Sequence, residues 1–516
     1  MNSNTRREFL GDVGRGMLLA GLGSSLAMDL GLASASAAEI AAPLSFGSME
    51  PLVALMQDTE ANKLTALLVE KLKSGTDLRT LVAAGALSNA RTFGGQDYIG
   101  FHTFMALAPA YHMAKELPLE QQALPVLKVL HRNATRIQEF GGRKNEILHA
   151  VNGDPMPEGV DPAEYLREMS RSGDIEKADR AFVGVSIAAP GEAFNHLQFA
   201  VEDEVDVHRV VLAWRAWDTL DLAGHEWAQC LLRQSIRYCA HTEAKMIARD
   251  YPRSSIRSAL PALMDEYGLM GAQLGQKSGD DAWLHTLATI IFRESRDNAA
   301  GAVAEAIKEG YAAECIGEAM SLASNMLVLH DPGRPEEWTS EGKPVGSCHG
   351  DSVGVHASDA ANAWRNIARV SNARNAIASL IVGAYHTAGQ AERSTAQPYP
   401  LPEHLAEVKS EDASALLGDA EAAIRANDQF RAAATIARYG TLGHDPAPAF
   451  ALMLKFATSE DGALHAEKYY RTAITEFDAT RSTYRWGQLV ALARVTASEY
   501  GRTSPGYEEA KRLLSV

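Results

Sequence analysis

Apolar residues recur at helical spacing along almost the whole chain, and that periodicity restricts the fold more than any other feature. Leu64, Leu67, Leu68 and Leu72 stand at i, i+3, i+4 and i+8, and Leu124, Leu127, Val129, Leu130 and Leu212, Trp214, Trp217, Leu220 continue the style. Such spacing draws an apolar stripe down one side of a helix. Alanine, the best helix former, crowds 299–306, 357–363 and 432–437. No series of alternating β-branched residues competes, and 182–187 stands isolated as a short strand candidate. The chain reads as all-α.

Superimposed on the helical period is a shorter repeat: an acid, four residues, then a histidine with an apolar residue before it. It pairs Asp97 with His102, Asp203 with His208, Asp280 with His285, Asp351 with His356 and Glu460 with His465. With 65 acids among 516 residues, 16 histidines would meet that offset by chance about twice, against these five. Ile99, Val205 and Val353 also recur three residues before His102, His208 and His356. Each of these three opens a helical hairpin. After His208 come 210–222, a break at Gly224 and 227–240; after His356 come 357–369, a break at Ser371-Asn372 and 373–385; the first copy breaks at Leu117-Pro118. A single hairpin cannot bury its apolar face, so such units stack into a solenoid or close into an α/α ring-like bundle. Equivalent residues then fall on one rim or lumen.

A structure that returns a histidine to one place gathers imidazoles, which are common metal ligands and proton carriers. We therefore take His102, His208 and His356, with His285 and His465, as candidate metal ligands. The upstream acids Asp97, Asp203, Asp351, Asp280 and Glu460 are expected to orient them, since a carboxylate holding one ring nitrogen fixes the tautomer and leaves the other for a metal. Such a set suits a transition metal, iron or copper first and zinc next, whereas magnesium and calcium want oxygen ligands. His349 and Asp351 are further candidates from the long Gly/Pro-rich stretch 331–354, while His131, His241 and His386 read as helix-end residues. The bland alternative makes every one of these histidines a core or capping residue. No GxSxG, P-loop, HExxH or GxGxxG motif in its required setting is present. Three functions stay open: a metal-dependent oxidoreductase acting on a small organic molecule, a zinc hydrolase, and a non-catalytic helical scaffold.

The first residues carry a separate message. Arg6-Arg7-Glu8-Phe9-Leu10 precedes a Gly/Ala-rich apolar run and then Ala33-Ser34-Ala35-Ser36-Ala37. This resembles a twin-arginine (Tat) signal peptide, which implies export of a folded protein by the Tat translocon and a periplasmic or secreted location. We expect a signal over 1–37, a histidine-lined hairpin domain over 38–400, and a helical region over 401–516 that continues the repeat. The net charge of −16 disfavours nucleic acid and anionic lipid as partners. No later stretch has the apolar length for stable membrane insertion. Four cysteines without a Cys-x-x-Cys pair make neither a disulfide framework nor a zinc knuckle.

The pieces Gly100-Phe101-His102-Thr103-Phe104 and Ala193-Phe194-Asn195-His196-Leu197 resemble the questin oxidase-like family. That resemblance implies a helical, histidine-punctuated protein, and because the family includes an oxidative ring-opening enzyme it points toward oxidation. It transfers no catalytic residue.

Overall fold

The computed structural model describes residues 43–516 except residue 188, so the twin-arginine segment lies outside the described residues. Within them the chain is helical throughout, and extended pairing is confined to isolated bridges such as Gly275 with Ala312. The strand candidate at 182–187 is instead the end of the helix Ile175–Val185 and the turn after it. Leu44–Val516 forms one compact unit. The stretch after 401 is part of it, although Tyr439, Met453, Tyr470 and Leu489 sit in an apolar cluster of their own beside the larger core. None of the described helices is long and apolar enough to cross a membrane.

Four helices form the centre, numbered here in chain order: α1 Tyr98–Glu116, α2 Val207–Asp218, α3 Val353–Val370 and α4 His465–Ala479. They pack in a closed cycle, α1 on α2, α2 on α3, α3 on α4 and α4 on α1. Each is backed by a later helix of its own: Ala123–Phe140, Ala228–Ala248, Ala373–Thr387 and Trp486–Glu499 respectively. The repeat is thus a ring of four hairpins, with the inner helices supplying the centre. The helix that carries His285, Asp281–Arg293, packs on Ala313–Leu329 outside that cycle.

Side-chain caps fix where three of the inner helices begin. Asp97 accepts from Gly100 N at 2.7 Å, Asp206 from His208 N at 3.0 Å, and Ser352 from Val355 N at 3.5 Å. Each satisfies an amide that has no partner in the first turn. The start of α4 has no such cap. The chain enters it through Gly462, Ala463 and Leu464, at φ of 46°, 47° and 66°. Two of these are non-glycine residues in the left-handed region, where a Cβ crowds the following carbonyl and costs about 1–2 kcal/mol per residue.

Candidate histidine centre

His102, His208, His356 and His465 all lie in the first turns of the four inner helices, so closing the helix cycle brings the rings together. Ring centroids are 4.8 Å apart for His102 and His208, 5.8 Å for His208 and His356, 5.3 Å for His356 and His465, and 5.2 Å for His465 and His102. The rings therefore form a closed four-membered loop. His102 and His465 are buried, and His208 and His356 are partly so.

The ring nitrogens divide into two sets. His102 Nδ1 lies 2.7 Å from the carbonyl oxygen of Tyr98, to which it donates, and His208 Nδ1 lies 3.3 Å from Asp206 Oδ1. Asp206 also accepts from Tyr238 Oη at 2.6 Å. With the proton held on Nδ1, the Nε2 of each ring carries its lone pair, and both Nε2 atoms are buried with no hydrogen-bond partner. His356 Nε2 and His465 Nε2 stand 3.2 Å apart. Two lone pairs do not face each other at that separation unless a proton or a cation lies between them. Ligand bonds of about 2.0–2.1 Å to a shared ion would subtend about 100° across such a gap, between the octahedral and tetrahedral values. Among the described residues no group of three or more His, Cys, Asp or Glu side chains is already placed to hold a metal ion. The quartet is a gathering of rings, not a finished coordination shell.

The surroundings keep three of these imidazoles, those of His102, His356 and His465, neutral. Burial, then the charge of Lys468, pushes His102 and His465 well below the ordinary histidine range. His356 is pushed down to about 3, by burial and then by His208. Neutral imidazole is the metal-binding form. Burial also works to raise Asp206, but the hydrogen bonds it accepts from His208 and Tyr238 more than offset it and hold the carboxylate below its usual range. Tyr98 and Phe101 wall one side, with their ring centroids 4.3 and 5.0 Å from that of His102.

A cavity of about 40 Å³ reaches His465 beneath the long loop, between His349, Asp351, Glu499 and Arg502. A single water needs roughly 10–15 Å³ of such space open to its centre, so this cavity has room for a few waters. Arg334 and Lys343 hold Asp351 at 2.5 and 2.6 Å and thereby tie the loop down. Gly350 crosses directly over His465: a Cβ there would meet His465 Cβ at 2.1 Å, so only glycine allows the approach. Its amide donates to Glu499 Oε1 at 2.8 Å. Burial pushes Glu499 up to about 8. His349 is buried at the cavity wall with its Nε2 unpartnered.

Two expectations are corrected. His285 is exposed, packs near Tyr484 at a centroid distance of 6.3 Å, and does not join the quartet. Nor do the five acids orient histidines. Asp97 caps α1 and pairs with Arg136 at 2.6 Å, Asp203 pairs with Arg171 at 2.7 Å, and Asp351 holds Arg334 and Lys343. Asp280 caps the His285 helix through Trp283 N, and Glu460 accepts from the amides of Gly501 and Arg502. An acid five residues before the histidine falls at the helix cap or in the preceding turn, where backbone amides and arginines capture it. The carboxylate that does hold a ring is Asp206, two residues before His208. Of the helix-end candidates, His386 is buried and accepts from Trp364 Nε1, and His131 contacts Thr65 and Glu509. All four cysteines are free.

Sequence reasoning passed over Lys468, three residues after His465 and buried, because a lysine on a helix ordinarily reads as solvated surface. Comparison of the chain with protein-family models, curated proteins and solved structures finds no match.

Proposed function

We propose that this protein is an exported metal-dependent oxidoreductase in which His102, His208, His356 and His465 hold a redox-active transition metal, iron or copper, that acts on a small organic substrate. The observation that carries the reading is the pair of buried, unpartnered Nε2 atoms on His102 and His208, whose tautomers are set by Tyr98 and Asp206, beside an Nε2–Nε2 approach of 3.2 Å. Buried acceptors without partners are costly unless something binds them. Four imidazoles would fill a tetrahedral zinc ion and leave no position for a reactant, whereas five- and six-coordinate ions keep one open. That preference favours oxidation over zinc hydrolysis.

A structural reading has one observation of its own: 3.2 Å also suits an N–H···N hydrogen bond between His356 and His465. Elemental analysis with an optical spectrum of the purified mature protein separates the possibilities. Stoichiometric iron or copper supports the proposal, zinc alone would favour a hydrolase, and no metal under replete conditions would leave a scaffold. The twin-arginine resemblance supports the exported location, and replacing Arg6 and Arg7 by lysine tests it by leaving uncleaved precursor in the cytoplasm.

A further inference from the structure

We propose that the histidine centre takes an anionic ligand, a carboxylate of a small organic molecule, with the ammonium of Lys468 as the anchor opposite the metal. This rests on the metal-binding reading above and specifies the charge of what that centre receives.

The argument begins with charge. Imidazoles bind a metal in their neutral form and so bring no charge, and Asp206 is the one carboxylate that pairs with a quartet ring among the described residues. A divalent ion there would leave positive charge uncompensated in a largely buried setting, which is expensive. The inner helices also direct their N-terminal, partially positive ends at the same place.

Lys468 makes the imbalance larger. It lies one turn beyond His465, on the same side of α4. It is 3% exposed, and among the described residues its ammonium makes neither a hydrogen bond nor an ion pair. Lys468 follows His465 on α4 by the same i, i+3 step by which Asp359 follows His356 on α3, so both buried side chains lie one turn below the quartet. Arg215, two turns beyond His208 on α2, is also buried and leaves Nε without a partner, while its Nη1 holds Asp218 at 2.9 Å. Burial pulls Lys468 down to about 8, and the buried carboxylate of Asp359, which accepts from Thr472 Oγ1 at 2.8 Å, works to hold its charge. An ammonium and a metal cation repel each other, and Asp359 is one carboxylate against both, so the pairing becomes favourable when a further anion lies between the two. A carboxylate can give one oxygen to each.

The test uses the full mature protein loaded with Co(II), titrated with sodium acetate while the visible cobalt bands and the metal content are followed. Lys468→Met is expected to weaken acetate binding about tenfold or more, the loss of one charge-assisted hydrogen bond. The same change should tighten cobalt binding a few-fold when no anion is present, because a repulsion has gone. Lys468→Arg should keep acetate affinity within about threefold of wild type. A lysine with only a structural role would not move the two affinities in opposite directions. Unchanged acetate affinity in a cobalt-loaded Lys468→Met, or equal weakening of both ligands, would overturn the anion site; should that variant not fold, loss of acetate binding in Lys468→Arg would do so. A wild-type protein that takes up no cobalt overturns the metal reading, and this inference with it.

Discussion

At the scale of single residues, the centre depends on which acid touches which ring. Asp206 and Asp203 are both buried or half-buried carboxylates before His208, yet only Asp206 reaches the ring, while Asp203 is held by Arg171 and Arg167. The two therefore separate metal binding from stability. Asp206→Asn is expected to lower metal affinity by about 10–100-fold, the range for a group that orients a ligand. Asp203→Asn should leave metal content at the wild-type level and reduce thermal stability instead, since it strips a partner from Arg171. Equal metal loss in the two variants, by elemental analysis after dialysis, would remove Asp206 from its role. The sequence could not distinguish these two carboxylates. Both precede the helix, and the choice is made by Arg171 and Tyr238, which arrive from other helices.

At the scale of elements, the helices and the histidine register were legible because both follow a local period. The period places apolar residues on one side, and a histidine in each first turn follows the start of each inner helix. Four of the five repeat histidines meet. His285 fails although its sequence pattern is equivalent, because its helix packs outside the inner cycle, and that is a tertiary fact with no local signature. The entry to α4 was equally illegible. Nothing in Gly462-Ala463-Leu464 announces three successive left-handed residues, yet they deliver His465 at the first position of its helix. Ala463→Gly keeps that backbone without the Cβ penalty and is expected to raise stability by about 1 kcal/mol, with metal content unchanged. A loss of stability in chemical denaturation would show that the left-handed turn is not what the folded chain uses.

At the scale of the whole molecule, burial of histidine sets the response to acid. Ten described histidines are held below the ordinary range with burial as the leading cause: His102, His112, His131, His196, His241, His330, His349, His356, His386 and His465. Five carboxyls are raised by burial and work in the opposite sense: Glu116, Glu202, Glu204, Asp359 and Glu499. A depressed histidine contributes stability that is full above its unfolded value of 6.5 and is lost as pH falls toward the folded value, which is about 4 for His241, His349 and His386. The histidines outnumber the carboxyls, so the metal-free protein should lose stability between about pH 6.5 and 4; denaturation midpoints that rise across that window would contradict this. The central claim is that the four-hairpin ring exists to bring four imidazoles onto one ion, and X-ray absorption at the edge of the bound metal tests it most directly. The account predicts imidazole scattering from four nitrogens at about 2.0–2.1 Å, reduced by one in His465→Ala and unchanged in His285→Ala. A first shell of oxygen or sulfur, or one indifferent to His465→Ala, would contradict it.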